Sequence, residues 1–235
     1  LLKRITPDVV QLDNLDSTAI KKFIKWVSQS IKVASVRAGD KMEKNIEMTE
    51  EKTRLRCRWC NLANPLYVRY HDEEWGVPVH DDRKLFEMLI LECFQAGLSW
   101  ECVLNKRDAF REAFDGFDVE KVCVYKEEKL EALRKDPGII RNRLKIQAAV
   151  TNAQAFREIQ KEYGSFSEYL WHWTEGRVIR ETGKTSSELS DAISKDLKKH
   201  GMKFVGTTVV YAYLQAVGVI RSHEDGCFCR HEDDI

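Results

Sequence analysis

Two groups of soft metal donors stand far apart in this chain. Near its end runs HEDGCFCRH, with His223 and Cys227 four apart and Cys229 and His231 behind them; far upstream lie Cys57, Cys60 and, within YHDEEWG, His71. Thiolate and imidazole donors contributed by both ends of one domain suit a tetrahedral zinc that ties those ends together, since structural zinc sites take Cys and His in sets of four. Cys57, Cys60, Cys227 and Cys229 form a rival set, and unligated core cysteines are the plainer reading.

A second group pairs acids with rings. Tyr67, Tyr70 and Trp75 surround the acids of YHDEEWG, and ECFQAGLSW follows with Glu92, Gln95 and Trp100. Glu92 sits inside the apolar run MLILECF, where a carboxylate is normally excluded unless it faces a cavity, a partner or the solvent edge of its helix. A carboxylate flanked by rings can accept hydrogen bonds from an electron-poor heterocycle while an indole stacks on it. In most proteins such tryptophans are simply core.

A third group is basic. In GMKFVGTTVVYAYLQAVG a helix ending at Gly201, a tight apolar turn to Gly206 and a helix opening with Thr207 and Thr208 make a hairpin whose free backbone N–H groups can hold a phosphate. Lys195, Lys198, Lys199 and Lys203 lie on its approach, and Arg141, Arg143 and Lys145 form a second basic cluster. Phosphate contacts position a protein on nucleic acid without specifying sequence, so this predicts salt-sensitive, sequence-tolerant binding.

These residues need elements to carry them. The chain has 235 residues, 43% hydrophobic and 32% charged, enough for one packed domain with an appendage. Its 38 basic and 38 acidic residues balance, so only local patches inform on a polyanionic partner. No apolar run reaches the roughly 20 residues of a membrane span, and the first residues lack a signal-peptide core; a cytoplasmic or nuclear protein is expected. Seven cysteines, an odd count without a secretion signal, argue against a disulfide framework.

The clearest boundary lies near residue 54. Residues 1–54 read as an extension: an amphipathic helix with Ile20, Phe23, Ile24, Val27 and Ile31 on one face, then the polar linker DKMEKNIEMTEEKTR. That helix is read as docked on the domain, with a membrane or partner surface as the alternative. Residues 55–235 form the main domain. There, Asp81 or Asp82 caps a helix through DDRKLFEMLILECFQAG, a long helix spans about 141–163, FSEYLWHW makes a short one, and Thr185 with Glu188 has capping-box spacing before another. No segment alternates like a strand, so the class is all-α.

Taken together, RCRWC, PLYVRYHDEEWGVPVHDDRKLFEMLILE, QAGLSW, GIIRNRLKIQA, KFVGTT and SHEDGC resemble, in order and context, the 3-methyladenine DNA glycosylase I family of the helix-hairpin-helix glycosylase superfamily. The match covers about residues 55–231 and leaves the first 54 aside. The resemblance implies a helix-hairpin-helix glycosylase fold with a structural zinc on Cys57, His71, His223 and Cys227. It implies that Glu92, Tyr70 and Trp100 hold a flipped-out base, with Tyr67 and Trp75 lining the pocket, and that Lys203, Gly206, Thr207 and Thr208 contact DNA.

The implied reaction is hydrolysis of the N-glycosidic bond of 3-methyladenine in alkylated double-stranded DNA by a monomer, leaving an abasic site. A base alkylated at N3 is cationic and already a good leaving group, so selective binding of the cation supplies much of the catalysis. No lysine is offered as a sugar-attacking nucleophile, so no strand cleavage is expected. Two positions depart from the pattern: Arg221 and Ser222 stand where this family often has Asn-Asp, and Cys60 contends with Cys57 as the ligand. The rival readings are a non-catalytic zinc-stabilised DNA-binding module and, more distantly, a thiol-redox role for Cys57 and Cys60.

Overall fold

The computed structural model describes Lys22, Lys25, Trp26, Gln29 and Ser30 and residues 54–230. The chain divides into two units, Leu1–Arg54 and Leu55–Ile235. In the first, Lys22, Lys25, Trp26, Gln29 and Ser30 are helical and exposed. The expected apolar face at Ile20, Phe23, Ile24, Val27 and Ile31, and the linker after it, lie outside the described residues.

The second unit is mainly helical. Its helices are α1 (Pro65–Glu73), α2 (Asp82–Gln95), α3 (Trp100–Leu104), α4 (Arg107–Ala113), α5 (Val119–Val122), α6 (Glu127–Lys135), α7 (Arg143–Tyr163), α8 (Phe166–His172), α9 (Glu188–Lys199) and α10 (Thr207–Ala216), with a 3₁₀ turn at Asp115–Phe117. No described helix is long and apolar enough to cross a membrane. The class departs from all-α in one place: β1 (Ile179–Arg180) and β2 (Ile220–Arg221) pair in parallel. Strands of two residues leave no alternation to read in sequence.

Helix α2 is the axis of the unit. The Asp81 side chain caps it by accepting from the Lys84 N–H at 2.8 Å. Every residue from Leu85 to Phe94 is buried, so the helix is covered on all sides rather than on one stripe. It packs against α3, α7, α8, α10 and the 3₁₀ turn.

Local caps fix the other helices. Asn142 caps α7 through the Lys145 N–H, so that helix starts at Arg143 rather than 141. The box expected from Thr185 and Glu188 is instead made by Ser187 and Ser190, each hydroxyl accepting from the other's backbone N–H at 2.8 and 3.4 Å. A second serine offers the same reciprocal geometry two residues later.

The end of α10 is stitched to the segment after α1. Gly76 and Val79 donate to the Gln215 and Val217 carbonyls at 3.0 Å. Gly218 has φ +74°, and a Cβ there would stand 2.3 Å from the Val77 carbonyl carbon, so only glycine permits this approach. The Phe228 N–H donates to the Leu55 carbonyl at 2.9 Å, which brings the start and end of the unit together.

Candidate active site and metal cluster

YHDEEWG is not a free loop. Tyr70 to Glu73 are the last turn of α1, and Trp75 and Gly76 begin the segment held by α10. Consecutive residues on a helix face different sides, and that divides the labour here: Tyr70 turns to a cavity and His71 to a cluster of donors.

The cavity has a volume of about 290 Å³. Trp59, Tyr67, Tyr70, Trp75 and Trp100 form its aromatic wall, and Glu92 and Gln95 reach it from α2. Ala212 and Gln215 of α10, Ser222 and Glu224 after β2, and Gly183 and Lys184 before α9 close the rest. Tyr70 and Trp100 lie 5.1 Å apart between ring centroids, tilted by 42°, and Trp59 meets Trp75 edge-on at 4.8 Å.

Glu92 is 4% exposed, so of its possible orientations the structure takes the cavity and not the solvent edge. Its carboxylate makes no hydrogen bond or ion pair among the described residues. Burial alone pushes its carboxyl up to about 8. Burial and the neighbouring Glu92 also hold the Tyr70 phenol well above its usual value. A cation entering this cavity finds a carboxyl ready to ionise against it and rings to stack on.

Lys145 has another task than the one its position in a basic cluster suggests. It is buried, and its ammonium donates to the Phe94 carbonyl at 2.8 Å and the Ala96 carbonyl at 2.6 Å. It therefore caps the C-terminal end of α2, next to Glu92 and Gln95, where the helix dipole favours a cation. Three wall residues carried no chemical signal in sequence. Trp59 lies inside the cysteine motif, Glu224 beside a metal-type histidine and Lys184 in a short polar loop. The Lys184 side chain is held by Glu181 at 3.1 Å.

Behind this wall, Cys57, His71, His223 and Cys227 are all buried, with donor atoms within 4.8 Å of one another, and could hold a metal ion. His223 Nδ1 lies 3.5 Å from both sulfurs, and His71 Nε2 lies 3.4 Å from the Cys227 sulfur. Each imidazole is turned by its other nitrogen: His71 Nδ1–H donates to Asp72 at 2.7 Å, and His223 Nε2–H to the Trp75 carbonyl at 3.2 Å. Arg56 holds Asp72 from its far side at 2.6 and 2.8 Å. Burial pushes the Cys57 thiol up to about 12, so thiolate here calls for a cation among the donors. Cys60 falls outside this set, its thiol turned to the Tyr67 carbonyl, and Cys229 instead groups with His71 and Asp72.

The hairpin follows α9. Gly201 ends that helix at φ +90°, Phe204 takes φ +56°, and Gly206 is the N-cap of α10 with no side-chain cap. Asn152 pins the turn by accepting from the Lys203 N–H at 2.7 Å and donating to its carbonyl at 3.0 Å. The Lys203 side chain and Thr208 are exposed, whereas the Thr207 hydroxyl is engaged with Ser190 at 2.8 Å. No N-cap side chain covers the first N–H groups of α10, and the exposed Lys195, Lys198 and Lys199 lie near Thr207.

The methyladenine glycosylase family model matches residues 59–231. The DNA-3-methyladenine glycosylase 1 of Escherichia coli K12 is 46% identical over 181 residues, covering 74% of this chain and 96% of that protein. A crystal structure of 3-methyladenine DNA glycosylase I superposes with a TM-score of 0.73 at 45% identity, covering 75% of this chain and all of the other. A tyrosine-to-phenylalanine variant of such an enzyme, in complex with 3-methyladenine, is 35% identical, with a TM-score of 0.71 over 73% of this chain and 95% of its own.

Proposed function

Because the chain belongs to the methyladenine glycosylase family, we propose that it hydrolyses the N-glycosidic bond of 3-methyladenine in alkylated DNA, with Glu92 holding the flipped-out base. The observation that carries the assignment of Glu92 is its place: a buried, unpaired carboxyl on the wall of an aromatic cavity. DNA in duplex form is the substrate and the enzyme acts as a monomer, with residues 1–54 as an extension to the catalytic unit.

The nucleotide leaves the stack and its base enters the cavity, with Trp100, Tyr70 and the other rings packing on its faces. A cationic base lowers the cost of ionising Glu92, and Glu92 in turn favours the cation over a neutral base. The C1′–N bond breaks with its electron pair going to the base, which departs neutral. Water adds to the oxocarbenium-like sugar, which neighbouring phosphates stabilise. The Lys184 side chain is held by Glu181 rather than offered to the sugar, so the abasic strand stays intact.

We assign the donor cluster to a structural zinc on Cys57, His71, His223 and Cys227. A tetrahedral zinc with bonds of about 2.3 Å to sulfur and about 2.0 Å to nitrogen places such ligands roughly 3.5 Å apart, which the observed separations match. Four protein ligands leave no position for water, so the ion would tie the ends of the unit together and take no part in chemistry. Metal analysis tests this: one equivalent of zinc in the native protein, absent from His223→Ala.

Exposed Lys203 and Thr208, with Gly206 and Thr207 at the start of α10, make the hairpin the DNA backbone contact. Chromatography of the bases freed from methylated duplex DNA tests the function. Release of 3-methyladenine without strand scission is expected; tight binding with no base released would favour the non-catalytic DNA-binding module.

A further inference from the structure

The strand pair brings a carboxylate and a hydroxyl together beside the base cavity. Ile179 opposes Ile220 and Arg180 opposes Arg221 in parallel register. Side chains alternate along each strand, so Glu181 and Ser222, the next pair, leave on the side of the two isoleucines and away from the two arginines. The Glu181 N–H donates to the Arg221 carbonyl at 3.2 Å, which carries the pairing up to them. Ile220 is fully buried, so this side faces the core, and there Tyr211 of α10 is the neighbour of both.

Three oxygens of this group are buried without a hydrogen-bond partner among the described residues: Ser222 Oγ, the Tyr211 hydroxyl and Glu181 Oε2. Ser222 is 6% exposed and Tyr211 1%. A buried oxygen without a partner costs free energy, and such atoms are kept where a bound molecule completes them. Burial, and after it the Glu181 carboxylate, hold the Tyr211 phenol above its usual value, so the phenol remains a donor. The other Glu181 oxygen has its partner in the Lys184 side chain at 3.1 Å, and Ser222 and Lys184 line the base cavity directly. Glu224, a second carboxylate on that part of the wall, is engaged elsewhere: its Oε2 accepts from the Arg58 N–H at 2.9 Å.

We propose that Glu181, Tyr211 and Ser222 seat the water that attacks the sugar, with Glu181 as its general base; this rests on the glycosylase reading above. A base held by Glu92 on α2 and by the rings of α1 and α3 leaves the Ser222 side of the wall to the sugar. The two hydroxyls hold the water, and Glu181 Oε2 accepts one of its protons. A lone pair of the water forms the C1′–O bond while the C1′–N electron pair leaves with the base, and the proton passes to Glu181 and then to solvent. Lys184, on the far oxygen, orients the carboxylate.

The test measures single-turnover release of 3-methyladenine beside equilibrium binding to a duplex carrying a non-hydrolysable abasic analogue. E181Q is expected to release base about 10²-fold more slowly, the lower end for a general base because the leaving group is already good, with analogue binding close to native. In E181Q/S222D a carboxylate returns from across the strand pair and release recovers about ten-fold, a repair that a merely structural loss would not show. Y211F loses one hydroxyl, is expected to be about ten-fold slower, and covers the case of an E181Q protein that does not fold. A native rate in E181Q overturns the water site, as does a slow E181Q that S222D fails to rescue; if E181Q does not fold, a native rate in Y211F overturns it. Native protein that releases no base removes the glycosylase reading itself, whereas normal native release with E181Q unchanged removes the water site alone.

Discussion

Two glutamates on α2 are almost equally buried, Glu87 at 8% and Glu92 at 4% exposure, yet their surroundings have nothing in common. Glu87 accepts from Arg107 at 2.7 Å and Arg111 at 2.9 Å, and Arg107 also reaches Glu74 at 2.9 Å, so α2, α4 and the residue that ends α1 are joined through one ion cluster. Glu92 has a cavity in front of it and, among the described residues, no cation. Burial without a partner is a cost the fold bears, and a ligand that brings its own charge offsets it. Glu87 is thus a structural acid, and under the proposed function Glu92 is one whose partner arrives with the base.

Removing the cation from the paired site is the largest destabilisation. Arg107→Met leaves Glu87 and Glu74 without their shared guanidinium and costs about 3–5 kcal/mol in urea unfolding. At the unpaired site the effect has the opposite sign. Glu92 has a folded-state value of about 8 against an unfolded 4.5, so the folded protein binds the extra proton between those pH values. Stability therefore falls as pH rises through that window, by up to about 1.4 kcal/mol per pH unit. Glu92→Gln removes the fall, so urea midpoints of variant and native protein agree at pH 4 and separate in the variant's favour by pH 8.

Lys145→Met tests the support beneath Glu92. Two carbonyls at the end of α2 are left without a charged donor, at about 1–3 kcal/mol, and base release drops along with stability because Glu92 is no longer held in place. The smallest effect belongs to stacking. Trp100→Leu keeps an apolar wall but removes the ring beside Tyr70, worth about 1 kcal/mol in kcat/KM, with the urea midpoint nearly unchanged.

The contrast between the two acids was half legible in sequence. Glu92 stood out because a carboxylate inside MLILECF breaks the apolar run, and the same reasoning applies to Glu87, whose neighbours are Phe86 and Met88. What separates them is which remote residue each meets, and Arg107 lies 20 positions from Glu87 with no periodic signal linking them. Lys145 misled for a similar reason: GIIRNRLKIQA looks uniformly basic, and only the packing of α7 on α2 turns one of its cations inward. The metal donors were visible as residue types, and their selection needed either a family resemblance or the placement of Cys60 away from the cluster. The strand pair, two residues each, left no pattern to find, and with it went the alignment of Arg180 and Arg221.

The most direct test compares the two acids in one assay: single-turnover release of 3-methyladenine from methylated duplex DNA at pH 7 by Glu92→Gln and Glu87→Gln, each first shown to be folded. Glu92→Gln is expected to release base about 10²-fold or more slowly with its fold intact, while Glu87→Gln, though less stable, keeps a rate near the native one. Equal rates in the two variants would contradict the assignment of Glu92 to the base.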